Sequence, residues 1–245
     1  MQDTGTIIVE HYRKAASQDA GKVHYKGLHI HAVEGLHEFI GAIASRVFVA
    51  GSDVLDLAAG SGAMCLRLKD LGMNPTGCDL VVENFRLRDS IPFVAANLNQ
   101  SFPAEFLDRF DGILASEIIE HLENPRHFLR QCFSVLKPGG HLILTTPNVD
   151  SSLSRAILVR FGVFQWFSQK NYKVDGHITP LPRMVLRNAM AEAGFNILEE
   201  TSVGKREFSF WSWWKIIALA ALLRLVDSCD TPQNEILVVL AQKPA

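Results

Sequence analysis

Four cysteines in 245 residues, none of them in a CxxC pair, offer neither a disulfide framework nor a cysteine-built zinc site. Cys65, Cys78, Cys132 and Cys229 stand inside apolar segments, the setting of reduced, buried thiols in a cytosolic protein. An excess of one charge is lacking too. The 24 Lys and Arg face 26 Asp and Glu for a formal net charge of -2. With the cations scattered, this argues against nucleic acid as a partner, because a phosphate backbone needs a neutralising surface. No basic start followed by an apolar core opens the chain, so no secretory signal is read and a cytoplasmic location is expected. Repeats and low-complexity tracts are missing as well. What remains, at 48% hydrophobic residues, is enough material for one core, and a single domain over residues 1–245 is expected.

The apolar residues alternate between short β-rich runs and helical patterns. Strand candidates lie at 53–58, 75–80, 91–97, 110–116 and 141–148, with helices read over 62–72 and 125–140. That alternation implies a parallel sheet covered on both faces. Past Asn148 the rhythm changes to a long irregular stretch ending near Pro182, a helix over 182–195, a strand over 195–203, an apolar insert and a closing strand over 234–242. Gly72, Gly139 and Gly194 fall where helices would need a left-handed C-cap residue.

Chemistry enters with "VLDLAAGSGAMCLRL", a strand that runs into Gly60-Ser61-Gly62 and then a helix. The glycines let the backbone approach a ligand, and the exposed N–H groups of a helix start favour an anionic group. Asp79 ends the second strand nineteen residues after Gly60, where a carboxylate can accept both ribose hydroxyls of a nucleoside. Cys65 occupies the place of the third small residue of a nicotinamide fingerprint, which points away from dinucleotides.

These motifs resemble the class I S-adenosylmethionine-dependent methyltransferases, and among them most closely the ubiquinone-biosynthesis type of O-methyltransferase. The likeness is dense from Val47 to Pro147 and loose elsewhere: "VLDLAAGSG" is similar to the first motif, Asp79 to the ribose-binding acid, "ANLNQSFP" to the adenine-contacting segment, and "LKPGGHLILTTPN" to the turn and strand after the active-site loop. The resemblance implies a doubly wound, Rossmann-like α/β sheet of seven strands in the order 3-2-1-4-5-7-6, the last strand antiparallel. It places Asp56, Ala58, Gly60 and Gly62 toward the methionine end of the cofactor, Asp79 at the ribose and Asn97 with Leu98 at the adenine, with Leu80 and Ser116 also among the cofactor-binding residues. Asn97 departs from the Asp that many relatives carry there.

"LASEIIEHLENP", residues 114–125, follows the fourth strand, and in this fold that loop faces the transferable methyl group. If it turns helically, Glu117, Glu120 and His121 share one face at i, i+3 and i+4. Two carboxylates and an imidazole suit Mg or Mn. The methyltransferase groups resembled add a distant histidine, for which His177 is the candidate. Two readings stay open: a divalent-ion site of Glu117, Glu120, His121 and His177, or a helix-capping loop in which Glu117 or His121 is the catalytic base.

Three further segments carry expectations. Residues 1–46 are read as a covering segment in which His24, His29, His31 and His37 form no metal repeat and Tyr25 lies over the cofactor. The insert at 151–182 is read as a substrate lid; Phe161, Phe164, Trp166 and Phe167 with Arg155, Arg160 and Lys170 suit an amphiphilic acceptor or closure over the cofactor. The apolar insert at 205–233 carries a helix over 208–228, too short and too interrupted to span a bilayer. Its homes are the core, a homodimer interface or a membrane surface, where Trp211, Trp213 and Trp214 beside Lys215, after Lys205 and Arg206, would settle. The function expected is methylation of an oxygen on a quinol precursor, glycolipid or sugar. The alternatives are N-methylation, methylation of an RNA terminus, and a cofactor-binding scaffold without turnover.

Overall fold

The computed structural model describes residues 23–204, 210–227 and 231–245, with side chains from 213 onward in the second stretch. The N-terminal 22 residues, Lys205, Arg206, Cys229 and the Trp211 side chain lie outside the described residues.

A two-stranded hairpin, β1 (His24–Tyr25) and β2 (Leu28–His29), leads into helix α1 (Leu36–Val47). Then follow β3 (Asp53–Leu57), α2 (Ala63–Asp70), β4 (Asn74–Asp79), β5 (Phe93–Ala95), β6 (Phe110–Ser116), α3 (Pro125–Val135) and β7 (Leu136–Pro147). The C-terminal part adds α4 (Ser152–Phe161), α5 (Gln169–Val174), α6 (Arg183–Ala193), β8 (Asn196–Val203), α7 (Phe210–Val226) and β9 (Ile236–Gln242). The main sheet has seven strands in the order β5-β4-β3-β6-β7-β9-β8, with β9 antiparallel to both neighbours and the other pairs parallel. Counted along the chain, that is the expected order 3-2-1-4-5-7-6.

Period-two alternation builds the two layers, since successive strand residues point to opposite faces. Leu55, Ile113, Leu142 and Val239 pack with Phe128 and Leu129 of α3 and with Leu186 and Met190 of α6. Their immediate neighbours Val54, Leu114, Ile143 and Val238 pack on the other face with Leu36 and Ile40 of α1 and Met64 and Leu68 of α2. Residues buried on both faces explain why the central strands read as continuous apolar runs.

Two readings change. The helix expected over 125–140 stops at Val135, because Leu136 pairs with Phe110 and starts β7, so Gly139 turns within that strand at φ +79 instead of capping a helix. The stretch expected to be irregular contains α4 and α5, capped by Ser151 and Ser168, whose side chains accept from the N–H groups of Ser154 and Asn171. Asn148 ties this segment down by donating to the carbonyls of Pro232 and Asn234 at the start of β9.

Candidate functional site

The first loop of the site depends on left-handed backbone. Ala58 has φ +61 and Gly60 φ +52, which carry the chain sharply from the end of β3 into α2. Gly62, at φ +90, is held for a second reason: a Cβ there would meet Phe85 Cε2 at 2.9 Å. The turn is locked by Asp79 at the end of β4. One carboxylate oxygen accepts from the N–H of Gly60 at 2.8 Å and the other from the N–H of Val81 at 2.9 Å. Burial pushes the Asp79 carboxyl upward, and these backbone donors oppose that shift.

A cavity of about 400 Å³ opens over this loop at the carboxyl ends of β3, β4 and β6. Ala58, Gly60, Asp79, Leu80, Asn97, Leu98, Ser116, Glu117 and His121 line it, together with His31, Val81, Asn84, Asn99, Gln100, Ile118, Leu122 and Glu123. Asp56 and Gly62 stand behind the lining. Asp56 is buried at 3% exposure and accepts from the Cys65 thiol at 3.2 Å. Its pKa is pushed up to about 7, chiefly by burial and further by the charge of Asp79, against the thiol bond. Asn97 Oδ1 accepts from the N–H of Asn99, a local turn that shapes the far end of the cavity.

Tyr25 lies elsewhere. Its hydroxyl donates to Asp70 and its ring sits under the Arg67 guanidinium, so it packs at the far end of α2. His31 covers the cavity from the N-terminal side, 3.9 Å from where a Gly60 Cβ would stand. His29 Nδ1 lies 2.9 Å from His31 Nε2, and Ser61 Oγ donates to the His29 carbonyl, pinning the hairpin to the glycine loop. The run of histidines in the sequence does not mark which one faces the cavity; hairpin register decides it.

The loop after β6 is a single 3-10 turn, Ile119–His121, in place of the helix expected there, and Glu117 precedes it at φ +51. A left-handed glutamate held by its surroundings is strain concentrated at a site. Glu117 takes its N–H to Thr145 and accepts from the Thr145 hydroxyl at 3.0 Å. The turn drops Glu120 and His121 inward, to 0% and 5% exposure, and brings them to His177 from the segment before α6. One ligand atom from each of the three lies within 4.8 Å of the others, while Glu117 is not in that group. The two imidazoles meet edge to face at 4.8 Å.

Second partners orient this trio. His121 Nδ1 lies 3.1 Å from the Gly176 carbonyl and His177 Nδ1 lies 2.8 Å from the Trp166 carbonyl. Because a carbonyl oxygen only accepts, both rings carry their proton on Nδ1 and keep Nε2 as the basic nitrogen. Glu120 Oε2 accepts from the Thr146 hydroxyl, but the buried Oε1 has no hydrogen-bond partner among the described residues. Burial raises the Glu120 carboxyl well above its ordinary value, and the Glu117 charge adds to it; burial also raises Glu117, with Glu235 adding. His177 is lowered by burial. Glu235, at 7% exposure, is the acid the sequence reading missed. It accepts from Gln165 Nε2 at 2.6 Å and joins the insert after β7 to the start of β9. Its only sequence mark is a charge at the mouth of an otherwise apolar strand.

Known proteins agree with this architecture. The profile of the family described as "Methyltransferase domain" matches residues 31–200. The rat mitochondrial ubiquinone biosynthesis O-methyltransferase is 32% identical over 111 residues, covering 41% of this chain and 32% of that protein. The protein of that name from Bradyrhizobium sp. is 29% identical over 153 residues, covering 58% and 59%. The chain thus spans about a third to three fifths of the length of these relatives. Among solved structures, an S-adenosylmethionine-dependent methyltransferase from Archaeoglobus fulgidus superposes with TM-score 0.56 at 18% identity, covering 86% of this chain and 96% of that one. The [4+2]-cyclase SpnF superposes with TM-score 0.63 at 16% identity, covering 98% and 95%. At such identities the likeness is one of fold, and SpnF's name shows that the fold hosts more than one chemistry. With more than half of its length matched by the family profile, the chain belongs to the methyltransferase domain family.

Proposed function

We propose that this protein transfers the methyl group of S-adenosylmethionine to a hydroxyl oxygen of a small or lipid-linked acceptor, a quinol precursor, glycolipid or sugar. The observation that carries the reading is a trio of one acid and two imidazoles, the buried Glu120 and His121 and the partly buried His177, one member of which lines the same cavity as the glycine loop and Asp79. Both curated relatives named above are O-methyltransferases by name.

The sulfonium of the cofactor already activates the methyl group, so the protein's task is to align an oxygen and remove its proton. As the C–O bond forms, the C–S bond breaks and the hydroxyl proton must go to a base. Asp79 and the Gly60 loop would hold the cofactor in the cavity that Ser116 and Glu117 also line. Glu117 lines the cavity, and burial raises its carboxyl toward the range where it takes a proton at neutral pH.

The trio fits a divalent ion such as Mg or Mn on its donor chemistry: a carboxylate oxygen without a hydrogen-bond partner and two Nε2 atoms whose tautomers are set from behind. Bound there, the ion would lower the pKa of the acceptor hydroxyl and orient a vicinal diol or catechol. Glu120, His121 and His177 would hold it. Should the trio hold no ion, His121 Nε2 takes the base role, with the Gly176 carbonyl steadying the imidazolium.

Chelation followed by add-back separates the two. The expected result is loss of methyl transfer to a catechol acceptor, recovery with Mg or Mn, and unchanged cofactor affinity. Full turnover after chelation, with no metal found by elemental analysis, would leave the His121 base. No labelled methyl on any quinol, lipid-linked sugar, amine or RNA terminus would leave a cofactor-binding scaffold.

A further inference from the structure

Apart from Lys215 and Arg224, helix α7 is apolar from Trp213 to Val226, and the described residues cover only one of its sides. Ile216, Leu219, Ala220 and Leu223 pack with Trp213 against Ala156 and Ile157 of α4. At 100° per residue the opposite stripe runs through Trp214, Ala218, Ala221 and Leu225, all exposed. Trp214 is 52% exposed, Leu222 59% and Leu225 83%. The patch continues onto the end of α4 through the exposed Phe161, whose ring meets Trp213 at 6.2 Å. A soluble surface rarely leaves such contiguous apolar area bare.

Charge decides what covers it. Lys215 and Arg224, both exposed, flank the stripe on opposite sides of the helix, and Arg160 stands beside Phe161. Among the described residues, neither α4 nor α7 carries an acid, and Asp227 beyond α7 is bonded to Arg155. Two copies packed through this face would bring cations against cations, with no acid of α4 or α7 between them. An anionic headgroup layer matches the rim, and tryptophan and leucine match the boundary beneath it. No helix of the described residues is long and apolar enough to cross a membrane, and the 17 residues of α7 measure about 25 Å along the axis, suited to lying flat.

The position of the face matters. Val203 at the end of β8 and Pro147 at the end of β7 both stand opposite Ile236, so α7 and the insert after β7 leave the sheet at the same edge. That edge also carries the cavity.

We infer that the exposed face of α7, with Phe161 of α4, docks on an anionic lipid surface. Such docking would present the edge that carries the cavity to acceptors bearing a lipid tail. The inference stands apart from the methyl-transfer reading, because vesicle binding requires no turnover.

Flotation of the full chain tests it, using vesicles of phosphatidylcholine alone and vesicles in which a third of the lipid is phosphatidylglycerol. Binding is expected on the anionic vesicles, at least about tenfold above the neutral ones, and should weaken with salt. Lys215→Ala with Arg224→Ala should weaken it about 25-fold, roughly fivefold per basic residue at such a surface. Trp214→Ser with Leu222→Ser and Leu225→Ser should abolish it while leaving activity on a water-soluble acceptor unchanged. If the triple variant does not fold, Trp214→Ser alone and the charge variant carry the test. Absence of the chain from the anionic fraction, or equal flotation of the variants, overturns the inference. So does a concentration-dependent dimer that the triple variant dissolves, which would make the face a contact between copies.

Discussion

The two ends of the site are built differently. The end proposed for the cofactor rests on backbone: left-handed residues at 58, 60 and 62, N–H groups aimed at one carboxylate, and a strand order that closes parallel pairs. The end proposed for the acceptor rests on side chains gathered from distant segments, with His177 brought to His121 across 56 positions and Gln165 to Glu235 across 70. Backbone-built sites leave local marks in a sequence, because few residue types tolerate the required φ. Side-chain sites assembled by topology do not. The difference predicts that damage at the acceptor end will stop chemistry while sparing cofactor binding, and that damage at the cofactor end will do the reverse of the second part.

The largest effect is expected at His121. Its replacement by Ala should lower kcat by about 100- to 10,000-fold under either role for the imidazole, with S-adenosylmethionine affinity kept. Equal losses in kcat and in affinity, measured by steady-state kinetics and calorimetry, would break the division between the two ends.

Asp79→Ala should act on the other side of that division. Losing charge-assisted bonds to the ribose and leaving Gly60 and Val81 N–H groups unpaired should weaken cofactor binding by about 2 to 4 kcal/mol. Calorimetry reads this directly, and an unchanged Kd in a folded variant would remove Asp79 from the cofactor site.

Gly62→Ala comes next, because a Cβ at 2.9 Å from the Phe85 ring and a φ of +90 both penalise the side chain. A loss of about 1 to 3 kcal/mol in denaturant unfolding is expected, with cofactor binding weakened through the distorted loop. A neutral outcome would show that Phe85 yields, and that the loop is less fixed than its geometry implies.

The smallest effect is a pH dependence from Asp56. Because its folded pKa is raised to about 7, the folded protein holds a proton that the unfolded chain has already released. The Asp56 contribution to stability therefore falls as pH rises from the ordinary carboxylate range to about 7, and is level above it. A cationic ligand beside Asp56 gains as that proton leaves. Affinity for S-adenosylmethionine should climb by at most about tenfold per unit up to pH 7 and flatten beyond. Asp56→Asn should flatten the whole profile.

The sequence disclosed the fold because its strands are buried on both faces and punctuated by glycine at Gly60, Gly72 and Gly194, so type and order follow from pattern. It also disclosed Asp79, whose spacing from Gly60 is fixed by one strand–helix–strand unit. The extent of β7 was not legible, since "LKPGG" reads as a helix end until Leu136 finds Phe110 across the sheet. Helices α4 and α5 were hidden behind aromatic residues, although Ser151 and Ser168 carry ordinary N-cap marks. The loop after β6 misled in a more instructive way. Helical spacing grouped Glu117 with Glu120 and His121, but the chain makes one tight turn and sends Glu117 to Thr145 instead. His31 and Glu235 reach the site by hairpin register and strand pairing, which local pattern does not encode.

The proposal that Glu120, His121 and His177 would hold a divalent ion beside the methyl donor is tested most directly by anomalous diffraction at the manganese edge. Crystals would be soaked in Mn and S-adenosylmethionine. The account predicts an anomalous peak among Glu120, His121 and His177, at the end of the cavity nearest Glu117. A map without that peak at saturating Mn, from crystals in which the cofactor is bound, would contradict it.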